Sequence, residues 1–286
     1  MSTLITLTTD FGLQDHYVGV MKGVIAGIAP QARVIDLCHA VPPQDIARGA
    51  YILAASCRYF PAGTVHVAVV DPGVGSARRA IAVEAAGWRW VAPDNGLLGW
   101  VFEALHEAGL ALGAPQGDLW HLGGGARAVV LEAREYQLPD RSQTFHGRDV
   151  FAPVAAHLAS GVPLERLGPL TPAIARLPRP VPERTPTGWR GAVLHADRFG
   201  NLVTNLRAAH CPGGACRVRV AGREIEGLSP SYTAMTALGA IVGSDGYLEI
   251  AVPHGNAAAL LGAGPGTLVE VEPLASADPS PEPLGG

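Results

Sequence analysis

Two charged side chains follow one buried strand in the first half of the chain, and together they can activate water. Asp71 comes directly after the apolar run 65–70, and Arg78 follows it across a segment that contains Pro72 and two glycines. A strand that ends in a carboxylate places it at the carboxyl edge of a sheet, where α/β proteins hold their chemistry. The carboxylate can orient a water molecule while the cation favours a hydroxide-like nucleophile. The alternative is a salt bridge that only stabilises the turn.

A histidine further along the chain supplies a third group. His146 lies in the segment 144–149 (TFHGRD), just before a predicted helix. Imidazole is the usual general base near neutral pH and is typically worth ~10²–10⁴-fold in rate. A single histidine is as often a structural hydrogen-bonding residue, so both interpretations stay open. Arg79 is a second candidate for the cation beside Asp71.

A loop near the start of the chain carries two more carboxylates. Asp10 and Asp15 follow the first predicted strand and flank Gly12. Carboxylates accept hydrogen bonds from vicinal hydroxyls and ammonium groups, whereas Asp15 is equally suited to cap the helix that follows. The loop lacks the GxGxxG pattern, so a Rossmann dinucleotide site is not indicated.

The histidines and aspartates of the first half do not have the spacing of a metal site. They form no HxxxH, HxH or HExxH pair that would place two imidazoles on one element. Arg78 would also repel a cation bound beside Asp71. We therefore expect no catalytic metal.

The second half has its own concentration of polar and aromatic residues, in the segment 196–205. An Asn amide such as that of Asn201 can pair with an adenine edge, and Phe199 can stack on the ring. Asp197 adds a carboxylate to the same segment. A turn or β-bulge with Asx hydrogen bonds is the alternative interpretation. Further candidate segments are 229–232, 243–251 and 255–258.

Strands that alternate with helices must position the residues of the first half. The sequence predicts strands over 4–9, 33–37, 65–70, 81–83 and 90–91, and helices over 17–28, 45–56, 96–108 and 150–160. This alternation is typical of a mostly parallel sheet with helices on both faces. The helix over 45–56 is expected to have an acidic first turn, and Pro153 is expected in the first turn of the last helix.

The pattern changes after residue 168. Short β-rich runs separated by turn residues follow over 189–196, 216–220, 246–251 and 267–271, which predicts a small β-barrel or a sandwich. The predicted division is an α/β catalytic domain over 1–175, a proline-rich linker over 176–188, a β-barrel domain over 189–274 and a disordered tail over 275–286.

Composition excludes several classes of partner. The net charge is −4 and no basic stripe is interleaved with aromatics, so nucleic acid is not expected. No apolar run approaches the ~18 residues of a membrane span. The four cysteines form no CxxC pair, which favours reduced thiols in a cytoplasmic protein, and the first residues lack the basic region of a signal peptide.

Taken in order, these segments resemble one known family. They are similar to the S-adenosylmethionine (SAM) hydrolases, also called SAM hydroxide adenosyltransferases, which are related to the SAM-dependent fluorinase and chlorinase. The resemblance extends over 4–271 and rests on the segments 10–15, 71–75, 92–96, 144–149 and 197–201.

The resemblance implies a fold, an assembly and a reaction. It implies an N-terminal α/β domain joined to a C-terminal β-barrel, and a homotrimer with SAM bound between the N-domain of one subunit and the C-domain of the next. It also implies that Asp71, Arg78 and His146 deliver water or hydroxide to C5′ of SAM, giving adenosine and L-methionine. SAM is then the substrate, and no cofactor is required. The sulfonium leaves as a neutral thioether, so the reaction needs an oriented nucleophile rather than a general acid.

The resemblance further implies substrate contacts. Asp10 is expected to accept from the ribose diol, Asp15 and Asp197 from the methionine ammonium, and Ser244 to donate to the carboxylate. The expected adenine pocket consists of Asn201, Phe199, Tyr232 and the backbone near Ala257. This chain has Asp245 where the fluorinase has an arginine, and Gln44 where it has a tryptophan.

Halide transfer is the alternative with the same electrophile. The halogenating relatives have an uncharged residue in place of the acid and lack the histidine, and a carboxylate would repel a halide. Asp71 and His146 therefore favour water. A SAM-binding or adenosine-binding module with incidental hydrolysis, and a metal-dependent hydrolase, are the remaining alternatives.

Overall fold

The computed structural model describes residues 3–211 and 215–274. It divides into two compact units, Met1–Arg179 and Pro180–Gly286. The predicted disordered tail, 275–286, lies outside the described residues.

The first unit is built on a mostly parallel sheet. Its strands are β1 (Leu4–Thr9), β2 (Arg33–Cys38), β3 (Val65–Val69), β4 (Ala80–Ala85), β5 (Trp88–Pro93), β8 (Arg127–Val130) and β9 (Leu170–Thr171), in the order β2-β1-β3-β5-β4-β8-β9. Strands β1, β2, β3 and β5 are parallel, whereas β4 is antiparallel to both of its neighbours. The strands β6 (Gly113–Gln116), β7 (Leu119–Leu122) and β10 (Ala173–Ala175) form a small separate antiparallel sheet.

The interior strand β3 is buried along its whole length, as expected for a parallel strand covered on both faces. It therefore buries His66, whose Nδ1 lies 2.8 Å from the Thr6 hydroxyl and whose ring stacks on Trp90. Burial lowers the pKa of His66 to about 4. This histidine is neutral at physiological pH and belongs to the core.

The described part of the first unit contains four α-helices, α1 (Tyr17–Ile28), α2 (Ile46–Ser56), α3 (Gly99–Glu107) and α4 (Ala152–Ala159). The helix α1 buries Val18, Met21 and Ile25, which lie on one face at helical spacing. Asp45 is the N-cap of α2, where it accepts a hydrogen bond from the Arg48 amide at 2.9 Å, so the predicted acidic first turn is wrong by one position.

Two helix starts differ from the prediction for local reasons. The helix α3 begins at Gly99 rather than at residue 96, because Asn95 accepts from the Leu97 amide and Gly96 has a φ of 95°. The predicted helix over 150–160 overlaps a π-helical turn over Gly147–Phe151, so α4 begins at Ala152, and Pro153 lies in its first turn as expected.

The second unit is an antiparallel, nearly closed barrel-shaped sheet. Its strands are β11 (Glu183–Arg184), β12 (Trp189–Ala196), β13 (Leu202–Arg207), β14 (Cys216–Val220), β15 (Arg223–Glu226), β16 (Gly239–Val242), β17 (Tyr247–Ala251) and β18 (Leu268–Pro273), and it contains a short α-helix, α5 (Ala257–Leu261). Strand β12 alternates buried and partly exposed residues, so one face packs on the core of the barrel. The predicted fold class, a mostly parallel α/β domain followed by a small β-barrel, is confirmed.

Candidate active site

Asp71 and Arg78 form an ion pair at the carboxyl end of β3. The Arg78 Nε atom donates to both carboxylate oxygens of Asp71, at 2.9 and 3.1 Å, and its Nη2 atom contacts the same group. The two side chains are 5% and 10% exposed. A tight turn joins them, and in it Gly75 has a φ of 78°, a value that favours glycine.

The same arginine reaches His146. Its Nη2 atom lies 2.8 Å from Nδ1 of His146, and its guanidinium carbon lies 5.4 Å from the centroid of the Phe151 ring. His146 is 2% exposed. The structure therefore brings together the acid, the cation and the imidazole that the sequence singled out, and Arg78 is bonded to both of the others.

Arg79 has different partners. It donates to Asp94, to the Thr171 hydroxyl at 3.0 Å and to the Ala173 carbonyl at 3.1 Å. These contacts connect the residues just before β4 and just after β5 to β9 and β10. Of the two adjacent arginines, only Arg78 is bonded to Asp71 in the part of the chain that the structure describes.

Asn95 fixes the backbone next to the acid, a role that the sequence did not reveal. Its Nδ2 atom donates to the Val70 carbonyl at 2.9 Å, immediately before Asp71. The segment 92–96 was part of the family resemblance, but only the fold shows that this side chain reaches the end of β3.

The turn that presents His146 is held by Asp149. This buried carboxylate accepts from the Ser142 amide at 2.8 Å and from Arg148, whose Nε atom lies 2.5 Å away. Burial alone would raise the pKa of Asp149, but the hydrogen bonds from Arg148 and Ser142 outweigh it and lower the pKa. Asp149 also donates its backbone amide to the Phe145 carbonyl at 3.1 Å, which closes the turn.

A second arginine that the sequence did not single out contacts the imidazole. Arg141 Nε lies 3.1 Å from Nε2 of His146. Burial, Arg141 and Arg78 lower the pKa of His146, in that order of effect, against the opposing charges of Asp71 and Asp149. The imidazole is therefore held in its neutral form.

Asp71 and His146 line a cleft of about 390 Å³ in the first unit. Asp10 lines it too, and its Oδ2 atom accepts from the backbone amide of Gln44 at 2.8 Å. Gln44 has a φ of 67°, an uncommon conformation for a residue with a side chain. The hydrogen bond thus joins a strained backbone position to a carboxylate in the cleft.

Aromatic rings cover another part of the cleft. Phe11, Tyr17 and Phe145 pack with ring centroids 5.0–5.8 Å apart. Asp15 is exposed and lies outside the lining, so the structure does not bring it to Asp71. It is not the helix cap either, since the N-cap of α1 is His16 and no side chain caps that helix.

In the second unit the segment 197–201 forms an Asx-type turn. Asp197 Oδ1 accepts from the amides of Phe199 and Asn201 at 2.8 and 2.9 Å, and its Oδ2 accepts from the Asn201 side chain at 3.0 Å. The turn interpretation of this segment is thus correct. The Phe199 side chain remains 74% exposed, while Asn201 is buried.

This turn packs on the start of α5. The amide of Ala258 donates to the Gly200 carbonyl at 2.9 Å, and Asn256 caps the helix by accepting from Ala259. These contacts place the beginning of α5, where Ala257 lies, beside the turn that carries Asn201.

Tyr232 contacts a buried carboxylate that the sequence analysis gave no role. Its phenol donates to Glu249 Oε2 at 2.6 Å. Burial raises the pKa of Glu249, and the charges of Asp197 and Asp245 add to this effect, while the Tyr232 hydrogen bond opposes it. Burial and the nearby carboxylates also raise the pKa of Tyr232. Glu249 is only 9% exposed. Its position inside an otherwise apolar strand was the signal from which the sequence could have revealed it, because glutamate is rarely buried without a partner.

Ser244 lies in the turn between β16 and β17. Gly246 donates to the Gly243 carbonyl at 3.0 Å to close this turn. A side chain at Gly243 would overlap the Glu249 carboxylate, so the turn packs directly against that group. Tyr232, Ser244 and Asp197 therefore all lie near Glu249.

The described residues, 3–211 and 215–274, contain neither a metal-binding cluster nor a membrane-spanning helix. No group of three or more His, Cys, Asp or Glu side chains there is arranged to hold a metal ion. No helix in the same ranges has both the length and the apolar character needed to cross a membrane.

Comparison with known proteins identifies relatives along most of the chain. Residues 5–168 match the SAM hydroxide adenosyltransferase N-terminal domain, and residues 191–270 match the C-terminal domain of the same family. A protein named (R)-S-adenosyl-L-methionine hydrolase from Salinispora arenicola is 43% identical over 281 residues, which cover 93% of this chain and 97% of that one. One of the same name from Thermus thermophilus is 44% identical over 265 residues, covering 89% and 93%.

More distant relatives and a solved structure complete the comparison. A fluorinase from Nocardia brasiliensis is 28% identical over 294 residues, covering 87% of this chain and 89% of that one. The crystal structure of an uncharacterized conserved protein from Thermotoga maritima superimposes with a TM-score of 0.81 at 35% identity, covering 93% of this chain and 99% of that one.

Proposed function

The chain belongs to the SAM hydroxide adenosyltransferase family, and from that premise we propose that it is an S-adenosyl-L-methionine hydrolase. Water or hydroxide attacks C5′ of SAM, the C5′–S bond breaks with its electron pair remaining on sulfur, and adenosine, L-methionine and a proton are released. The observation that carries this proposal is the bonded set of Asp71, Arg78 and His146 beside one cleft. Relatives named SAM hydrolases, at 43% and 44% identity, support the same reaction.

Each group of the set has a role that its contacts support. Asp71 is held by Arg78 through two oxygens, so it presents a fixed acceptor that orients the attacking water. Arg78 contributes the positive charge that stabilises a hydroxide-like nucleophile. His146 is kept neutral, the state in which a ring nitrogen retains a lone pair and can accept a hydrogen bond from Arg78 Nη2.

The substrate contacts are proposed residue by residue. We assign Asp10 to the ribose diol, because its carboxylate lines the cleft and is fixed by Gln44. Asp197 uses three hydrogen bonds within its own turn, which leaves capacity on Oδ2 for the methionine ammonium. The remaining assignments are Asp15 for the ammonium, Ser244 for the carboxylate, and Asn201, Phe199, Tyr232 and the Ala257 backbone for adenine.

The assembly and the location are part of the proposal. We propose a homotrimer whose sites lie between subunits, with SAM as its small-molecule ligand and no nucleic acid or membrane partner. The exposed Phe199 ring is available for a substrate or another subunit.

The unpaired thiols of all four cysteines support a cytoplasmic protein. The domain division 1–175 and 189–274 stays a prediction, and light scattering of the purified protein tests the trimer.

One experiment in isotopic water tests the reaction. SAM is incubated with purified protein in ¹⁸O-water, and the products are separated by chromatography and analysed by mass spectrometry. We expect adenosine that carries ¹⁸O at the 5′ oxygen, together with unlabelled L-methionine. SAM that stays intact after prolonged incubation with concentrated protein would rule out the proposal. We expect activity to persist in EDTA, and its loss would support a metal-dependent hydrolase.

Two alternative functions would give different results. The 28% identical fluorinase supports testing halide transfer, which would appear as a 5′-halo product that depends on added chloride or fluoride. We expect none, because Asp71 would repel the halide. Tight adenosine binding with negligible turnover would instead indicate a binding module.

A further inference from the structure

Arg141 contacts both nitrogens of the His146 ring. Its Nε atom lies 3.1 Å from Nε2, and its Nη2 atom lies 3.4 Å from Nδ1. The second contact shares Nδ1 with Arg78, whose Nη2 atom lies 2.8 Å away. Arg141 is half-buried and does not line the cleft, and the roles assigned above do not involve it.

This arrangement restricts the protonation of the ring. A guanidinium group only donates hydrogen bonds, and an imidazolium also only donates, through both of its nitrogens. A doubly protonated His146 would therefore direct an N–H group at an arginine on each side. A neutral ring has one lone pair, so it accepts from Arg78 at Nδ1 or from Arg141 at Nε2.

We propose that Arg141 is a positioning residue of the hydrolase site, because its guanidinium spans both nitrogens of His146 and holds the ring in its neutral, Arg78-facing state. The inference rests on the proposed function and adds to it a residue that acts through His146 rather than on SAM. The pKa of Arg141 is itself lowered, because the side chain is partly buried and because Arg134 and Arg78 carry like charges nearby.

The charges around His146 decide the direction of the expected effect. Arg78 and Arg141 face the ring as cations, and Asp71 and Asp149 face it as anions. In the wild type, burial and the two cations outweigh the two anions, so the pKa of His146 is lowered. Without Arg141, burial and Arg78 remain against two carboxylates, so the pKa of His146 rises toward its ordinary value.

The test compares Arg141→Gln, Arg141→Lys and Arg134→Gln in the full-length protein. Arg134 donates to Gln137 Oε1 at 3.1 Å and is a neighbouring charge of Arg141, so its removal is a matched control that leaves the His146 contacts in place. In a plot of kcat against pH, we expect the fall in kcat on the acid side to occur roughly one pH unit higher in Arg141→Gln than in the wild type. KM for SAM at the alkaline plateau should stay unchanged. Arg141→Lys keeps the positive charge, so its fall in kcat should lie between those of the wild type and Arg141→Gln. Arg134→Gln should shift the fall less than Arg141→Gln does.

An NMR titration of the His146 ring gives a readout that does not depend on turnover. The His146 signal is assigned with a His146→Asn variant, and its pKa is followed in the wild type and in Arg141→Gln. An unchanged His146 pKa in Arg141→Gln would overturn the inference, as would an equal shift in Arg134→Gln. A wild type that fails to hydrolyse SAM would contradict the proposed function, while the titration would still test the contact.

Discussion

Arg78 Nη2 lies 2.8 Å from His146 Nδ1, although 68 residues separate the two in the chain. The Nε atom of the same side chain is bonded to Asp71, so one guanidinium joins a carboxylate to an imidazole. The arginine that follows it, Arg79, is bonded to Asp94 and Thr171 instead. Two adjacent residues of the same type thus have separable roles.

The first prediction compares these two arginines. Arg78→Lys keeps the charge but loses the fork that reaches Asp71 and His146 together, so we expect kcat for SAM hydrolysis to fall by about 10²-fold with little change in KM. Arg79→Lys should lower the melting temperature and leave kcat near that of the wild type. Steady-state kinetics and thermal melts measure both. A larger loss of kcat in Arg79→Lys than in Arg78→Lys would contradict the assignment.

The second prediction concerns the charge of Asp71. Asp71→Asn keeps the shape of the side chain and removes its charge, so we expect the hydrolysis rate to fall by ~10²–10⁴-fold. Asp45→Asn removes one negative charge as well, but asparagine caps a helix as well as aspartate does, so its rate should match the wild type. Undiminished turnover in Asp71→Asn would remove Asp71 from the mechanism.

The third prediction compares two glycines that have similar positive φ values. Gly75 and Gly63 have φ values of 78° and 86°. A β-carbon at Gly75 would lie 2.5 Å from the Gln143 carbonyl oxygen, whereas among the described residues nothing lies within 4 Å of one at Gly63. Gly63→Ala should cost about 1 kcal/mol of stability and leave kcat unchanged.

Gly75→Ala should cost more and also lower kcat, because the turn from Asp71 to Arg78 must move away from the segment that precedes His146. Denaturant unfolding and kinetics on both variants provide the measurements. Equal effects of the two substitutions would show that the contact with Gln143 is unimportant.

The fourth prediction concerns stability in acid. The pKa of His66 is lowered to about 4, so between pH 6.5 and pH 4 the unfolded chain binds a proton that the folded chain does not. Stability is therefore complete above pH 6.5 and falls as the pH drops through this window, by about 3 kcal/mol from this group. His66→Gln should flatten this part of the curve of melting temperature against pH. A parallel curve would indicate that other groups control the acid sensitivity.

The regular elements were predictable where local pattern and tertiary environment agree. The bounds of β1, α1, β12 and β14 match the sequence prediction. Strand β13 was not predicted, because Asn205 is of a type depleted in strands and the segment 196–205 is also compatible with a turn. In the fold, the Thr204 hydroxyl donates to the Leu248 carbonyl at 2.8 Å, and Asn205 accepts from the Ala192 amide at 2.8 Å. Hydrogen bonds to residues distant in the sequence satisfy these polar groups within a strand.

The candidate site was predictable in its residue types but not in its connections. The sequence singled out Asp71 and His146 from their positions after a strand and before a helix. It favoured Arg78 but did not exclude Arg79. Consecutive residues beside a strand point in opposite directions, and the sequence alone does not show which direction faces Asp71. Arg141 gave no signal, since its importance arises from a turn that brings it back to a residue five positions later.

The bridging position of Arg78 also has a consequence for how the first unit folds. Its contact with Asp71 closes a loop of 7 residues and its contact with His146 one of 68, so the longer closure costs about 2 kcal/mol more chain entropy. The acid and the cation can therefore pair as soon as their turn forms, whereas the imidazole joins them only when α4 packs against the sheet. We expect a variant that loosens that helix to lose activity while the ion pair persists, so that turnover would report the completion of folding in this unit.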